Sequence, residues 1–201
     1  MKRTLLVLAL ALPAAACDEA PNVVVRAALE RGGEPIAGMP VRLLPYDRRA
    51  LLDSLAREFG RPEPALPQEV LQRLRSLEAG EAPVNQPGDS TPPVSPAAER
   101  EALLRQVRAA EAARRAWADS AYADFEEIVQ ERLADLGLGE QVDTTDASGR
   151  AAFAAGAGQW WVFARYVLPD TELEWNVAVT IQPDSAIVPL TLRNARARPF
   201  F

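Results

Sequence analysis

The chain has no histidine and a single cysteine among its 201 residues. Without histidine, Ser-His-Asp and Cys-His nucleophilic catalysis are excluded, and the commonest zinc ligand is missing. One cysteine cannot close an intramolecular disulfide, so the fold must be held by its core alone. No apolar run is long enough for a dedicated membrane-spanning helix; the stretch over residues 4–12 is too short. Positive charge is in deficit: 22 Lys and Arg stand against 28 Asp and Glu, a net charge of −6. An acidic chain is a poor general nucleic-acid binder, because neutralising phosphates needs a positive surface.

What is present is an ordinary globular balance, 48% hydrophobic and 25% charged, which supports a buried core. Residues 1–16 read as a signal peptide. Lys2 and Arg3 form the charged leader, residues 4–12 the apolar stretch, and Pro13-Ala14-Ala15-Ala16 a small-residue cleavage region. Cys17 follows at once. The arrangement resembles a bacterial lipoprotein signal, in which the cysteine is lipidated and becomes the new N-terminus, with Ala14 standing where that motif has leucine. Ala14-Ala15-Ala16 also fits an ordinary secretory cleavage site. Both readings export the chain. The lipoprotein reading makes Cys17 the lipidation site and the membrane a partner, with the protein on the periplasmic or cell-surface face. Loss of Lys2 and Arg3 would leave 20 basic against 28 acidic residues, a net charge of −8.

Residues 17–22 form a short tether. Residues 23–29 (VVVRAAL) and 39–44 (MPVRLL) read as strands joined by a Gly/Pro turn, and the expected pairing is a hairpin or neighbouring places in one sheet. After Tyr46 the period changes. Residues 47–59 place Leu51, Leu52, Leu55 and Phe59 at helical spacing with Gly60 as the stop, and residues 68–78 repeat the pattern with Val70, Leu71, Leu74 and Leu77. Residues 81–96, rich in Pro, Ser and Gly, read as an exposed loop. Ser95 caps a helix that Pro96 opens and that is predicted to run unbroken to about Leu136. Its apolar stripe is Leu103, Val107, Ala110, Trp117, Ala121, Phe125 and Ile128, interrupted by Arg114. The stripe is expected to pack on the preceding helices or the sheet. Pairing with a partner protein through this helix is the alternative.

Strands resume after Glu140, through a turn at Asp146-Ala147-Ser148-Gly149 and a strand ending at Phe153. Along residues 159–166, Trp160, Val162 and Ala164 face one side and Trp161 and Phe163 the other. Both faces are apolar, so both are expected to be covered, one by a second sheet and one by the helices. Residues 172–181 alternate: Leu173, Trp175, Val177, Val179 and Ile181 oppose Glu172, Glu174, Asn176, Ala178 and Thr180. Residues 186–192 read as the last strand and residues 195–201 as a basic C-terminal tail.

Three groupings invite a chemical reading. Asp143, Thr144, Thr145 and Asp146 bring oxygen ligands together, but the spacing does not match an EF-hand, and an Asx-type turn explains Asp146. Glu172 and Glu174 share a strand face, as paired glycosidase carboxylates do; a solvated face is the competing reading. Trp160, Trp161 and Trp175 are candidates for a sugar platform or for the core. None of these supports a catalytic, cofactor or metal assignment, which leaves Cys17 as the one site residue.

Residues 33–43 (GEPIAGMPVRL), residues 145–153 (TDASGRAAF), and then Gly158 with Trp160-Trp161-Val162 resemble the carboxypeptidase regulatory-like or transthyretin-like family of small β-sandwiches. The resemblance implies a β-sandwich, and the helical residues, which stand where that family has a short connection, make the whole chain an α+β protein. An antiparallel sandwich of about seven strands would be built from residues 23–45 and 140–194, with a helical hairpin inserted over residues 46–139 and packed on one sheet. It implies architecture and not activity. The expected function is a non-enzymatic binding or structural role in a lipid-anchored envelope protein. The alternative is a carbohydrate-binding module or weak hydrolase using exposed tryptophans with Glu172 and Glu174.

Overall fold

The computed structural model describes residues 22–30, 33–80, 95–169, 171–182 and 186–199. The signal peptide, Cys17 and nearly all of the tether lie outside the described residues, as do residues 81–94 of the Pro-rich loop, Gly32, the Pro183-Asp184 turn and Phe201.

In chain order the elements are β1 (Val23–Ala27), β2 (Pro40–Leu44), α1 (Arg48–Phe59), α2 (Gln68–Glu78), α3 (Pro96–Ala121), α4 (Phe125–Leu136), β3 (Gln141–Thr144), β4 (Arg150–Phe153), β5 (Gly158–Val167), β6 (Thr171–Ile181), β7 (Ala186–Leu190) and β8 (Arg196–Pro199). This is a mixed α+β fold with eight strands in two sheets, ordered β4-β1-β7 and β3-β2-β5-β6-β8. The sheets share one sandwich-like core. Val23 and Val25 of β1, Val41 and Leu43 of β2, Trp160 and Val162 of β5, and Trp175 of β6 all belong to it. The aromatic strand β5 is central in its sheet, paired with β2 and β6.

The helices follow from local signals. Asp47 caps α1, its Oδ1 accepting from Arg49 N and Ala50 N at 3.0 Å. Gly60 closes the same helix at φ 69°, a conformation that favours glycine. Ser95 Oγ accepts from Ala98 N at 3.3 Å, with Pro96 at the first helical position. Two further apolar clusters arise from these helices. Leu51 and Leu55 of α1, with Phe125 and Val129 of α4, cover Leu44, Trp161 and Phe163 on the outer face of the five-stranded sheet. Leu71 and Leu74 of α2 pack with Val107, Leu103 and Leu104 of α3.

Four expectations need correction. The first concerns β1 and β2, which are not a hairpin and lie in different sheets. Ile36 N donates to Ala27 O at 2.9 Å, Ala28 bridges Pro35, and Gly38 at φ 71° redirects the chain across the core. Second, the strands are not all antiparallel, because β1 pairs with β7 in parallel from Val23↔Ala186 to Ala27↔Leu190. β7 follows β6 in sequence but lies in the other sheet, so the two are not hairpin partners, and this register puts Val188 and Leu190 in the core.

Third, the predicted long helix breaks between Ala121 and Phe125. Tyr122 leaves helical geometry at φ −113° and ψ 18°. Residues before the break serve the α2–α3 cluster, and Phe125 and Val129 after it serve the sheet-facing one, and one straight rod does not reach both. Fourth, residues 196–199 are not tail but strand β8, in register with β6 as Arg196↔Glu174 and Arg198↔Glu172. Opposite charges facing each other across strands favour that register.

Candidate functional site

Where α1 crosses the outer face of the five-stranded sheet, packing is incomplete and a cleft of about 530 Å³ remains. Asp47 sets its geometry. The same Oδ1 that caps α1 accepts from Asn176 Nδ2 at 2.8 Å, which ties the start of the helix to β6. That contact holds the first-turn residues Arg48 and Arg49 over the sheet. Six arginines line the cleft: Arg48, Arg49 and Arg57 from α1, Arg61 from the α1–α2 connection, and Arg196 and Arg198 from β8. The acidic lining is Asp53, Glu63 and Glu174, and Trp117, Tyr122 and Phe163 supply aromatic surface.

The acids are largely spoken for. Glu174, only 7% exposed, accepts from Arg165 Nη2 at 3.1 Å and lies 3.7 Å from Arg49. Glu63 accepts from Arg114 Nε at 2.8 Å. Among the described residues Arg49 is the one cleft arginine with an ion pair; Arg48, Arg57, Arg61, Arg196 and Arg198 have no carboxylate within 4.0 Å. Arg48 is held by rings instead, its guanidinium 4.5 Å from the centroid of Phe125 and 5.0 Å from that of Phe163. Burial, and then the neighbouring Arg165 charge, lowers its pKa from the usual value. Arg48 Nε, Arg49 Nε and Asn176 Oδ1 are buried without a hydrogen-bond partner. At the rim, Trp117 Nε1 donates to Arg61 O at 2.8 Å, and the indole meets Phe59 and Tyr122 edge-on.

The residues singled out from sequence land elsewhere or in other roles. Trp160 and Trp175 are 4% and 0% exposed, with their N–H groups donating to Gly156 O and Thr191 O, and Trp161 is half-buried under the helices. They form no exposed platform. Glu172 and Glu174 do share a face, but not a solvated one: Arg165 bridges them, at 3.9 Å and 3.1 Å, and α1 covers Glu174. Alternation along a strand reports which side a residue faces and says nothing of what lies over that side. Asp146 is a turn residue, its Oδ1 accepting from Ser148 N, Ser148 Oγ and Arg150 N at 2.8, 2.6 and 3.0 Å. Among the described residues no three His, Cys, Asp or Glu side chains converge to hold a metal ion.

The cleft itself was missed in the sequence, although two signals were there. Arg48-Arg49 occupies the first turn of α1, where the helix dipole disfavours cations and no acid stands. Arg196 and Arg198 sit two apart, the spacing that places both on one face of a strand. Comparison of the chain with protein-family models, with curated proteins and with solved structures finds no match.

Proposed function

We propose that the protein is a non-enzymatic binding module, exported and anchored by a lipid on Cys17, and that it takes a small anion in the arginine-lined cleft. The observation that carries this reading is the charge pattern. In a chain of net charge −6, five guanidinium groups without carboxylate partners gather around one concavity. Arginine is the side chain best matched to oxyanions, its planar fork donating two parallel hydrogen bonds. The volume falls within the roughly 300–1,000 Å³ of small-molecule sites.

We read the paired sheets as a transthyretin-like or carboxypeptidase regulatory-like sandwich into which a helical layer has been inserted. The Gly33-to-Leu43 and Thr145-to-Phe153 segments support this. In such a design the sandwich is a rigid frame, and the helices, laid across one face, create the concavity. Trp117 reports on it, so titrating citrate and pyrophosphate while following tryptophan emission tests the function. Saturable change with either anion, abolished by Arg48→Ala, is the expected result. Emission indifferent to both would refute it.

A further inference from the structure

We infer that the anion is diphosphoryl: a small ligand carrying two adjacent tetrahedral phosphoryl groups, gripped by guanidinium groups that reach it from three sides. This rests on the binding reading above and narrows its ligand. The directions of approach decide between anion classes. Arg48 and Arg57 come from α1, Arg61 from the connection after it, and Arg196 and Arg198 from β8 on the far side. A carboxylate presents its acceptor positions in one plane, which suits one fork or two. Each phosphoryl group presents three strong acceptor oxygens pointing in different directions, which suits donors converging from separate elements.

The charge count agrees. Glu174 and Glu63 are engaged by Arg49, Arg165 and Arg114, so the five guanidinium groups without a carboxylate within 4.0 Å face only Asp53 within the lining, an excess of four positive charges. Two phosphoryl groups carry about three to four negative charges near neutral pH. A dicarboxylate or a single phosphate would leave about half of that excess unmatched. The most buried of the cleft arginines, Arg48 and Arg49, each keep a buried Nε without an acceptor.

The diphosphoryl group has two sources, a free small molecule or the headgroup of a membrane lipid, and the chemistry recognised is the same. The test uses the purified full chain with three soluble probes: pyrophosphate, orthophosphate and citrate, each followed by calorimetry and tryptophan emission. Pyrophosphate is expected to bind at least about tenfold more tightly than either of the others. The double variant Arg196→Gln/Arg198→Gln should weaken pyrophosphate about tenfold or more while still melting cooperatively, with a Tm only a few degrees below the parent's. Both side chains are exposed and neither has a carboxylate within 4.0 Å among the described residues, so losing their cross-strand attraction to Glu174 and Glu172 costs little stability and leaves the chain folded. Citrate binding as tightly as pyrophosphate overturns the diphosphoryl assignment and leaves the anion-binding reading standing. No saturable binding of any probe overturns both. A competition arm separates the sources. Displacement of pyrophosphate by phosphatidylcholine vesicles doped with farnesyl diphosphate, and not by plain vesicles, assigns a lipid headgroup. Tight pyrophosphate binding that the doped vesicles leave undisturbed assigns a free ligand.

Discussion

Replacing Glu174 with glutamine should move stability and ligand affinity in opposite directions, which makes it a sharp probe of the cleft. The change keeps side-chain shape and removes one buried negative charge. In the parent, Glu174 accepts a charge-assisted hydrogen bond from Arg165 at 3.1 Å and attracts Arg49 at 3.7 Å. Hydrogen bonds to charged groups contribute about 1.5–3 kcal/mol, and the second pair, with Arg49 38% exposed, adds less than about 1 kcal/mol. Glutamine retains a neutral acceptor for Arg165, so the net loss works out at about 2 kcal/mol. For a chain of this size that is a drop of about 4–8 °C in Tm. The same change frees Arg49 and raises the positive potential of the cleft, so pyrophosphate affinity should rise about two- to tenfold. Thermal melts by circular dichroism, paired with calorimetric titration, read both quantities. An unchanged Tm would show that the buried pair does not contribute. Affinity falling in step with stability would show that the cleft is not the anion site.

Three other outcomes follow from the structure. Gly149→Ala should cost about 2–4 kcal/mol in urea unfolding, because Gly149 sits at φ 71° and an added Cβ would lie 2.4 Å from Ala27 O, a backbone atom with little room to yield. Asp146→Asn should destabilise most at neutral pH. Hydrogen bonds from Ser148 and then Arg150 lower the folded-state pKa of Asp146 below 3.8, so its contribution is present above that value and is lost as pH falls through the lowered one. The gap in Tm between parent and variant should therefore close in strong acid; a gap that widens there contradicts the sign. Cys17→Ser should release the protein from membranes on fractionation, and unchanged membrane association would refute lipidation at that residue.

Signals carried by a few adjacent residues were readable in the sequence. The bounds of α2, the stop at Gly60, the Ser95-Pro96 opening of α3 and the two-sided character of β5 and β6 each depend on neighbours within a turn or on simple alternation. Features settled by distant partners were not. The parallel pairing of β1 with β7 joins residues far apart in the chain, and the break at Tyr122 answers to two different apolar clusters. β8 is four residues of Arg-Ala-Arg-Pro, with no apolar pattern of its own; its identity as a strand comes from lying against Glu172 and Glu174. The cleft was hidden for the same reason. Its arginines come from three separate elements, and only the tertiary arrangement brings them to one place.

The position of the helices also shapes how the chain assembles. Strand β2 has β3 on one side and β5 on the other, and the first of these partners lies about a hundred residues further on, as the pairing of Leu43 with Gln141 shows. Until those residues are made and delivered, Pro40-to-Leu44 is a bare strand with two open edges, the state most prone to mispairing. Closing the intervening loop grows costlier only slowly with length, about 0.6 kcal/mol for each doubling. The frame can therefore absorb lengthening or shortening of the helical layer at little thermodynamic expense, and the burden falls on the speed with which β2 finds its neighbours.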